Sequence, residues 1–491
     1  MENFEKEIKL LSQQRLENNL SLRKKKLNKE ILKRRLNTSN NSYTIKKEDI
    51  IIKEEYKTKS FNNITDLLNF CTIVLSNEKS DLNDIKFVIH LLKLTEIKKD
   101  NGEVSKSNII KEISKLLIKY LNDKVIVDEL LAILTIFTYH LSNETLMNLL
   151  TNEYLNIYSK ISAQYFEDQI IFNDLIILLG NLSNDNIIAQ KIFYQTKLFE
   201  EIYKLAKNPK APKIKKDAAI IFLANFTTGI QNNNNFVNSI QLLQNLVDIM
   251  VDNFNVKDYT IYCLESLGNL SDIESLAEYI SLKKELFNFI FNAEKSDIYF
   301  YTQGNKILSN ITYSSEKISL YILQNYDAIP YILKFLNSSS NLLKGQTLFL
   351  LGNIIEDKPC KINEILNNSG VFDKIFDLLD SPNTEIIDKV TYILNIITSS
   401  LDNEGIFKLY KKNIHLKLIN IIKNDYKRDI IDKTIDAIID FLQKDSQDRI
   451  IKQSFIDNGL KEVLASMILD RNDAEIFLKT EKIQEMLKNY F

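Results

Sequence analysis

Few side chains in this sequence are placed to make or break bonds. The three histidines, His90, His140 and His415, are scattered and fit no catalytic or metal-ligand spacing. Cys71, Cys263 and Cys360 are odd in number and far apart, which gives neither a paired-cysteine zinc pattern nor a disulfide framework. Buried thiols in a reducing compartment are the expectation. There is no glycine-rich phosphate loop and no GxSxG elbow, and the many carboxylates fall at helix-surface spacing. These patterns predict no enzyme, no metal and no cofactor. What does recur is a side-chain amide. Asn181, Asn225, Asn269, Asn310 and Asn353 stand in the phrases LLGNLSND, FLANFTTG, SLGNLSD, ILSNITYS and LLGNIIED. An amide can donate to a carbonyl and accept from an N–H, so a regular row of them could hold the backbone of an extended peptide. Asparagine is a poor residue for a helix interior, and its recurrence points to a role on an exposed inner face. The alternative is that the row only caps or spaces helices.

The elements that must position this row follow from its spacing. Successive asparagines are 44, 44, 41 and 43 residues apart. Weaker copies extend the register to Ile136, 45 residues before Asn181, to Ile396, 43 after Asn353, and to Asp440, 44 further on. Each copy lies in an apolar stretch of helical spacing bounded by polar segments such as KNPKAPK, NNNNF and LDSPN. A helical period of this length predicts an all-α solenoid of HEAT or armadillo units, two or three helices each, stacked into a right-handed superhelix. The recurring phrase is expected on the last and longest helix of each unit, lining a concave surface. Gly180, Ala224, Gly268, Ser309 and Gly352, each just before its asparagine, fit close helix packing there.

Bulk composition agrees. A chain of 491 residues exceeds what one core usually serves, and 10 Gly with 5 Pro are too few for the turns of a large all-β fold. The first residues, MENFEKEIK, are charged and lack an apolar signal region. Apolar runs such as DLIILLGNL break off well short of the ~18 residues a membrane span needs. No membrane association is expected.

Residues 15–35, RLENNLSLRKKKLNKEILKRR, hold nine cations and two glutamates, a net of +7, so the remainder of this −2 chain carries about −9. A basic arm on an acidic body favours self-docking or capture by another acidic protein. This segment resembles the importin-β-binding domain of the importin α family. Arg15, Glu17, Leu22, Arg23 and Lys24 match its Arg-x-Glu-x-x-x-x-Leu-Arg-Lys stretch, and Leu32, Lys33, Arg34 and Arg35 match its second cluster without a gap. The family's longer arginine cluster is absent, since Gln13 and Gln14 precede Arg15. LLGNLSND and FLANFTTG are similar to that family's second and third repeats.

The resemblance implies a nuclear import adaptor shuttling between cytoplasm and nucleus. Residues 1–36 would be the importin-β-binding arm, 37–60 a flexible linker and 61–491 an armadillo domain of about eight to ten repeats. Arg15, Arg23, Lys24, Lys25, Lys33, Arg34 and Arg35 would contact importin β, with Lys33, Arg34 and Arg35 also docking into the chain's own groove. Basic nuclear-localisation-signal cargo would lie along Asn181, Asp185, Asn225, Asn269, Asn310, Phe349, Asn353 and Tyr392. The last repeats would meet an export receptor.

The family also carries tryptophans one turn before the asparagines, and this chain has none. Those positions hold Ala132, Ile177, Ile221, Glu265, Lys306, Phe349 and Tyr392. The sequence therefore predicts a divergent adaptor with weak or unusual cargo binding and aromatic surface only at Phe349 and Tyr392. Two other readings remain open: an armadillo scaffold without signal recognition, and direct nucleic-acid binding through the arm. The acidic body and the lack of a recognition module weigh against the latter.

Overall fold

The computed structural model describes residues 53, 56, 61, 63–94, 104, 107–138, 149–184, 186–230, 239–293, 297–314, 316–356, 370–424, 426–445, 449–469 and 474–488. The basic arm, Asp185, His140 and Cys360 lie outside them. All described secondary structure is helical, and the chain divides into two compact units, residues 1–240 and 241–491.

In the first unit the helices run α1 (Ile64–Ser76), α2 (Leu82–Leu94), α3 (Ile109–Lys119), α4 (Lys124–Phe137), α5 (Asn152–Tyr165), α6 (Gln169–Ser183), α7 (Ile187–Tyr194), α8 (Lys197–Lys207) and α9 (Lys213–Phe226). In the second they run α10 (Ile240–Asn253), α11 (Thr260–Leu270), α12 (Glu274–Ser281), α13 (Lys284–Asn292), α14 (Ile298–Ser314), α15 (Glu316–Asn325), α16 (Ala328–Leu336) and α17 (Asn341–Ile355). The second unit continues with α18 (Val371–Leu378), α19 (Thr384–Ser400), α20 (Asn403–Lys411), α21 (Ile414–Lys423), α22 (Arg428–Gln443), α23 (Ile450–Asp457), α24 (Leu460–Leu469) and α25 (Ala474–Leu487).

Two shorter helices and a long final helix repeat wherever the whole unit is described, as in α7–α9, α12–α14 and α15–α17. This three-helix unit of about 43 residues is the armadillo class that the period predicts. The recurring phrases fall on final helices, as expected: α6, α9, α11, α14 and α17. Final helices pack on final helices of the next repeat, α4 on α6 and α6 on α9, then α11 on α14, α14 on α17, α17 on α19, α19 on α22 and α22 on α25.

Sequence explains why these helices sit innermost. Asp168 caps α6 by accepting from the Ile170 and Ile171 amides, and Leu175, Ile176, Leu178, Leu179 and Leu182 all lose their entire surface. A helix apolar nearly all round must be covered on several sides, here by α4, α5 and α9. Gly180 sets the α6–α9 distance. A Cβ there would stand 3.0 Å from the Asn225 amide nitrogen and 3.4 Å from the Phe222 backbone.

Polar ties close the helix ends between repeats. The buried Gln190 of α7 donates to the Ser183 carbonyl at 3.3 Å and to the Thr228 carbonyl at 2.7 Å. It thereby satisfies C-terminal carbonyls of both α6 and α9. Lys215 on α9 is buried, with its ammonium 4.0 Å from the Phe166 ring centroid and 3.3 Å from Glu167 in the turn before α6. A lysine stem can bury its methylenes while the ring face and carboxylate serve its charge.

Lys53 and Tyr56 fall within the expected flexible linker, yet both are fastened to the first helices. Lys53 pairs with Asp84 at 2.7 Å, and Tyr56 stacks on Phe87 with ring centroids 5.3 Å apart. A counter-charge holds Lys53 and apolar ring area holds Tyr56. Cys71 and Cys263 are buried free thiols, and burial pushes the Cys71 thiol up to about 12.

Candidate functional site

The final helices carry side chains in register, and the asparagine row is the first of these columns. Asn181 on α6 donates to the Thr138 hydroxyl, 43 residues earlier, at 3.1 Å. Asn310 on α14 donates to the Ser271 hydroxyl and to Asp272, both at 2.8 Å. Asn353 on α17 donates to the Ser309 carbonyl, 44 residues earlier, at 2.7 Å. These bonds tie each final helix to the end of the preceding one, the role that helix-spacing asparagines would have.

Exposure corrects part of the peptide-row expectation. Asn225 is 3% exposed, Asn353 4% and Asn269 9%, so three of the five amides are withdrawn from solvent. Close packing of neighbouring final helices over small residues such as Gly180 buries them. Asn181 and Asn310 remain half-buried.

The column one turn earlier divides between the units. On α4, α6 and α9, Ala132, Ile177 and Ile221 are buried core residues. Aliphatic side chains here fill the contact between helices and offer no ring slot for a cation. In the second unit Glu265 is buried. Lys306, Phe349, Tyr392, Asp436 and Lys479 follow at intervals of 43, 43, 44 and 43. Phe349 and Tyr392, expected as open aromatic surface, are half-buried. The Lys389 ammonium lies 5.9 Å from the Phe349 centroid, and the Tyr392 hydroxyl donates to Glu356 at 3.1 Å. Gly352 makes room for that ring, whose edge would stand 3.3 Å from an added Cβ.

Charges on this second-unit column are matched across repeats. Lys306 bonds Asp272 at 2.9 Å and Asn269 at 3.2 Å. Lys433 of α22 bonds Asp388 of α19 at 2.8 Å. Lys479 of α25 meets Asp432 at 2.7 Å and Asp436 at 2.8 Å on α22. Burial holds the Asp436 and Asp440 carboxyls above their usual range, against Lys479 at Asp436 and the Thr398 hydroxyl at Asp440, which pull them down. Burial also pulls Lys479 down, but its two carboxylates prevail and leave it raised.

Sequence reasoning missed these lysine–aspartate pairs. The signal was legible, because Asp388, Asp432 and Asp436 stand eight or four residues ahead of the landmarks Ile396 and Asp440, on the same helical face. The first unit has its own acidic column. Asp128 and Glu129 on α4, Asp174 on α6 and Asp217 on α9 stand seven or eight residues ahead of Ile136, Asn181 and Asn225. Asp174 is half-buried and the other three are buried.

Among the described residues no group of three His, Cys, Asp or Glu could hold a metal ion, and no helix is long and apolar enough to cross a membrane.

No family model and no curated protein matches this chain. Among solved structures, an engineered protein superposes with a TM-score of 0.65 at 16% identity, over 86% of this chain and 99% of its own. A designed armadillo repeat protein matches 48% of this chain and 98% of its own at 17% identity, with a TM-score of 0.43. Another, solved in complex with the peptide (KR)4, matches 48% of this chain and 97% of its own at 17% identity and the same TM-score. The long match to the first and the three-helix period agree on the fold: an all-α solenoid of armadillo-type repeats.

Proposed function

We propose that this protein is an adaptor of the importin α kind. It holds a basic protein segment along the final helices of its first unit and recruits importin β through residues 15–35. The observation that carries this reading is the acidic column of Asp128, Glu129, Asp174 and Asp217 on three successively packed helices. Packed helices lie roughly 8–10 Å apart and an extended peptide rises about 3.3 Å per residue, so a peptide meets a new helix about every third residue. A Lys/Arg-rich stretch then offers one cation per helix, with half-buried Asp174 the most accessible carboxylate of a column whose other members are buried. Asn181, half-buried on the same helix, adds an amide two turns beyond Asp174. The arm, at +7 against a body of −9, is the natural handle for an acidic carrier.

Fluorescence anisotropy with a labelled octapeptide of alternating Lys and Arg tests the groove. Binding should weaken at least about tenfold in Asp174→Asn/Asp217→Asn, a loss of one partly desolvated charge contact. An importin β pull-down tests the arm: changing Arg23, Lys33, Arg34 and Arg35 to Ala should abolish capture.

A second reading has its own support. Buried Ala132, Ile177, Ile221, Asn225 and Asn353 suit an armadillo scaffold that binds partners without recognising basic signals. Such a scaffold retains all its partners after deletion of residues 1–40 and ignores the octapeptide, whereas the adaptor loses importin β.

A further inference from the structure

The second unit presents acidic side chains on the same helical column, yet each of several is answered by a lysine from the next final helix. We propose that these lysines are built-in plugs: Lys433 and Lys479 occupy the carboxylates of the second unit's column and close it to basic peptides. The inference rests on the groove reading above and concerns the second unit alone.

Geometry supports a plug over a plain tie. Asp432 and Asp436 are one turn apart on α22 and converge on the single Lys479 ammonium, at 2.7 and 2.8 Å, with Glu475 at 4.0 Å. Two carboxylates aimed at one point form a receptor for one cation. Lys479 stands in the column of Lys306, Phe349, Tyr392 and Asp436, in register with them. Its side chain is 22% exposed and those of Asp432 and Asp436 are 27% and 34%, so water and an outside ammonium can reach the pair. Lys433 on Asp388 is a second lysine–aspartate bridge between final helices, made from a different position on the helix, at 22% and 25% exposure.

Tethering decides the competition. A cation on a neighbouring helix acts at an effective concentration in roughly the millimolar range, far above a peptide at micromolar concentration. The carboxylates are therefore occupied before any cargo arrives. With the tethered ammonium gone, they keep their need for a positive partner, because a carboxylate partly removed from water is costly unpaired.

The experiment uses the full chain and the Lys–Arg octapeptide at low salt. Lys433→Gln/Lys479→Gln is expected to bind the peptide at least about tenfold more tightly than the parent. The gain should disappear when Asp388→Asn/Asp432→Asn/Asp436→Asn is added. Lys433→Arg/Lys479→Arg, which keeps both charges, should match the parent. Lys433→Met/Lys479→Met retains the packed stems without the charge and serves if the Gln chain loses its cooperative melt. A parent that binds, with Gln and Met chains that gain nothing, overturns the plugs and leaves the adaptor reading standing. If neither parent nor variants bind, both proposals fall.

Discussion

The asparagine row shows how one residue type can serve a fold by the same chemistry that would serve a ligand. Its amide donates, and the question is to what. In Asn353 the donor meets the Ser309 carbonyl at 2.7 Å inside the packed interface. Asn353→Ala removes that bond and leaves a small void, at a cost of about 1–3 kcal/mol. A shifted urea midpoint with an unchanged slope would register it. Asn181→Ala, half-buried and bonded to the Thr138 hydroxyl at 3.1 Å, should cost less, about 0.5–1.5 kcal/mol. If Asn353→Ala leaves stability untouched and lowers octapeptide affinity, the row belongs to the ligand after all. Position and residue type were legible in the sequence because the period exposes them. Burial was not, since it depends on how closely Gly180 and its counterparts let final helices approach, a distance that no single helix encodes.

At the scale of elements, the phrase repeats located the final helices well, because a helix buried on several sides must be apolar nearly all round. The ties between helices stayed hidden. Lys479 and Asp432 are 47 residues apart, and pairs at that separation become neighbours only once the stack is built. His415 is another such case, a lone histidine with no partner in sequence. It lies buried on α21, its Nε2 2.9 Å from the Ser454 hydroxyl of α23 and its ring 4.7 Å from Tyr410 and 5.6 Å from Phe455. Burial pushes its pKa down from 6.5 to about 4. The folded protein thus resists a proton that the unfolded chain accepts. Stability from the neutral ring is complete above about pH 6.5 and falls away as pH drops toward 4, by up to about 3 kcal/mol. Urea melts at pH 7, 6 and 5 should show this loss, and His415→Gln should flatten that part of the profile. An unchanged slope in the variant would assign the acid sensitivity instead to a carboxylate held below its usual range, such as Asp81, which accepts from the Asp84 amide and pairs with Lys53.

Across the whole molecule, stability is a sum over neighbours rather than the property of one core. Each repeat buries its face against those beside it, so interior repeats are held from two sides and terminal ones from one. Among the described helices, α1 and α2 of the first unit pack on the following repeat, and α23, α24 and α25 of the second on the preceding one. Local opening should therefore start at these ends. The Lys479 bridges from α25 to α22 are partly exposed and add little against it. Hydrogen exchange on the full chain should find amides of α23–α25 exchanging at least about tenfold faster than those of α14 and α17, an opening cheaper by about 1.4 kcal/mol or more. The Lys433→Gln/Lys479→Gln chain should leave that gap nearly unchanged, because these partly exposed bridges add little. Equal protection from α11 through α25 would mean that the second unit opens as one block. The last repeat would then be no easier to open than the middle of the stack.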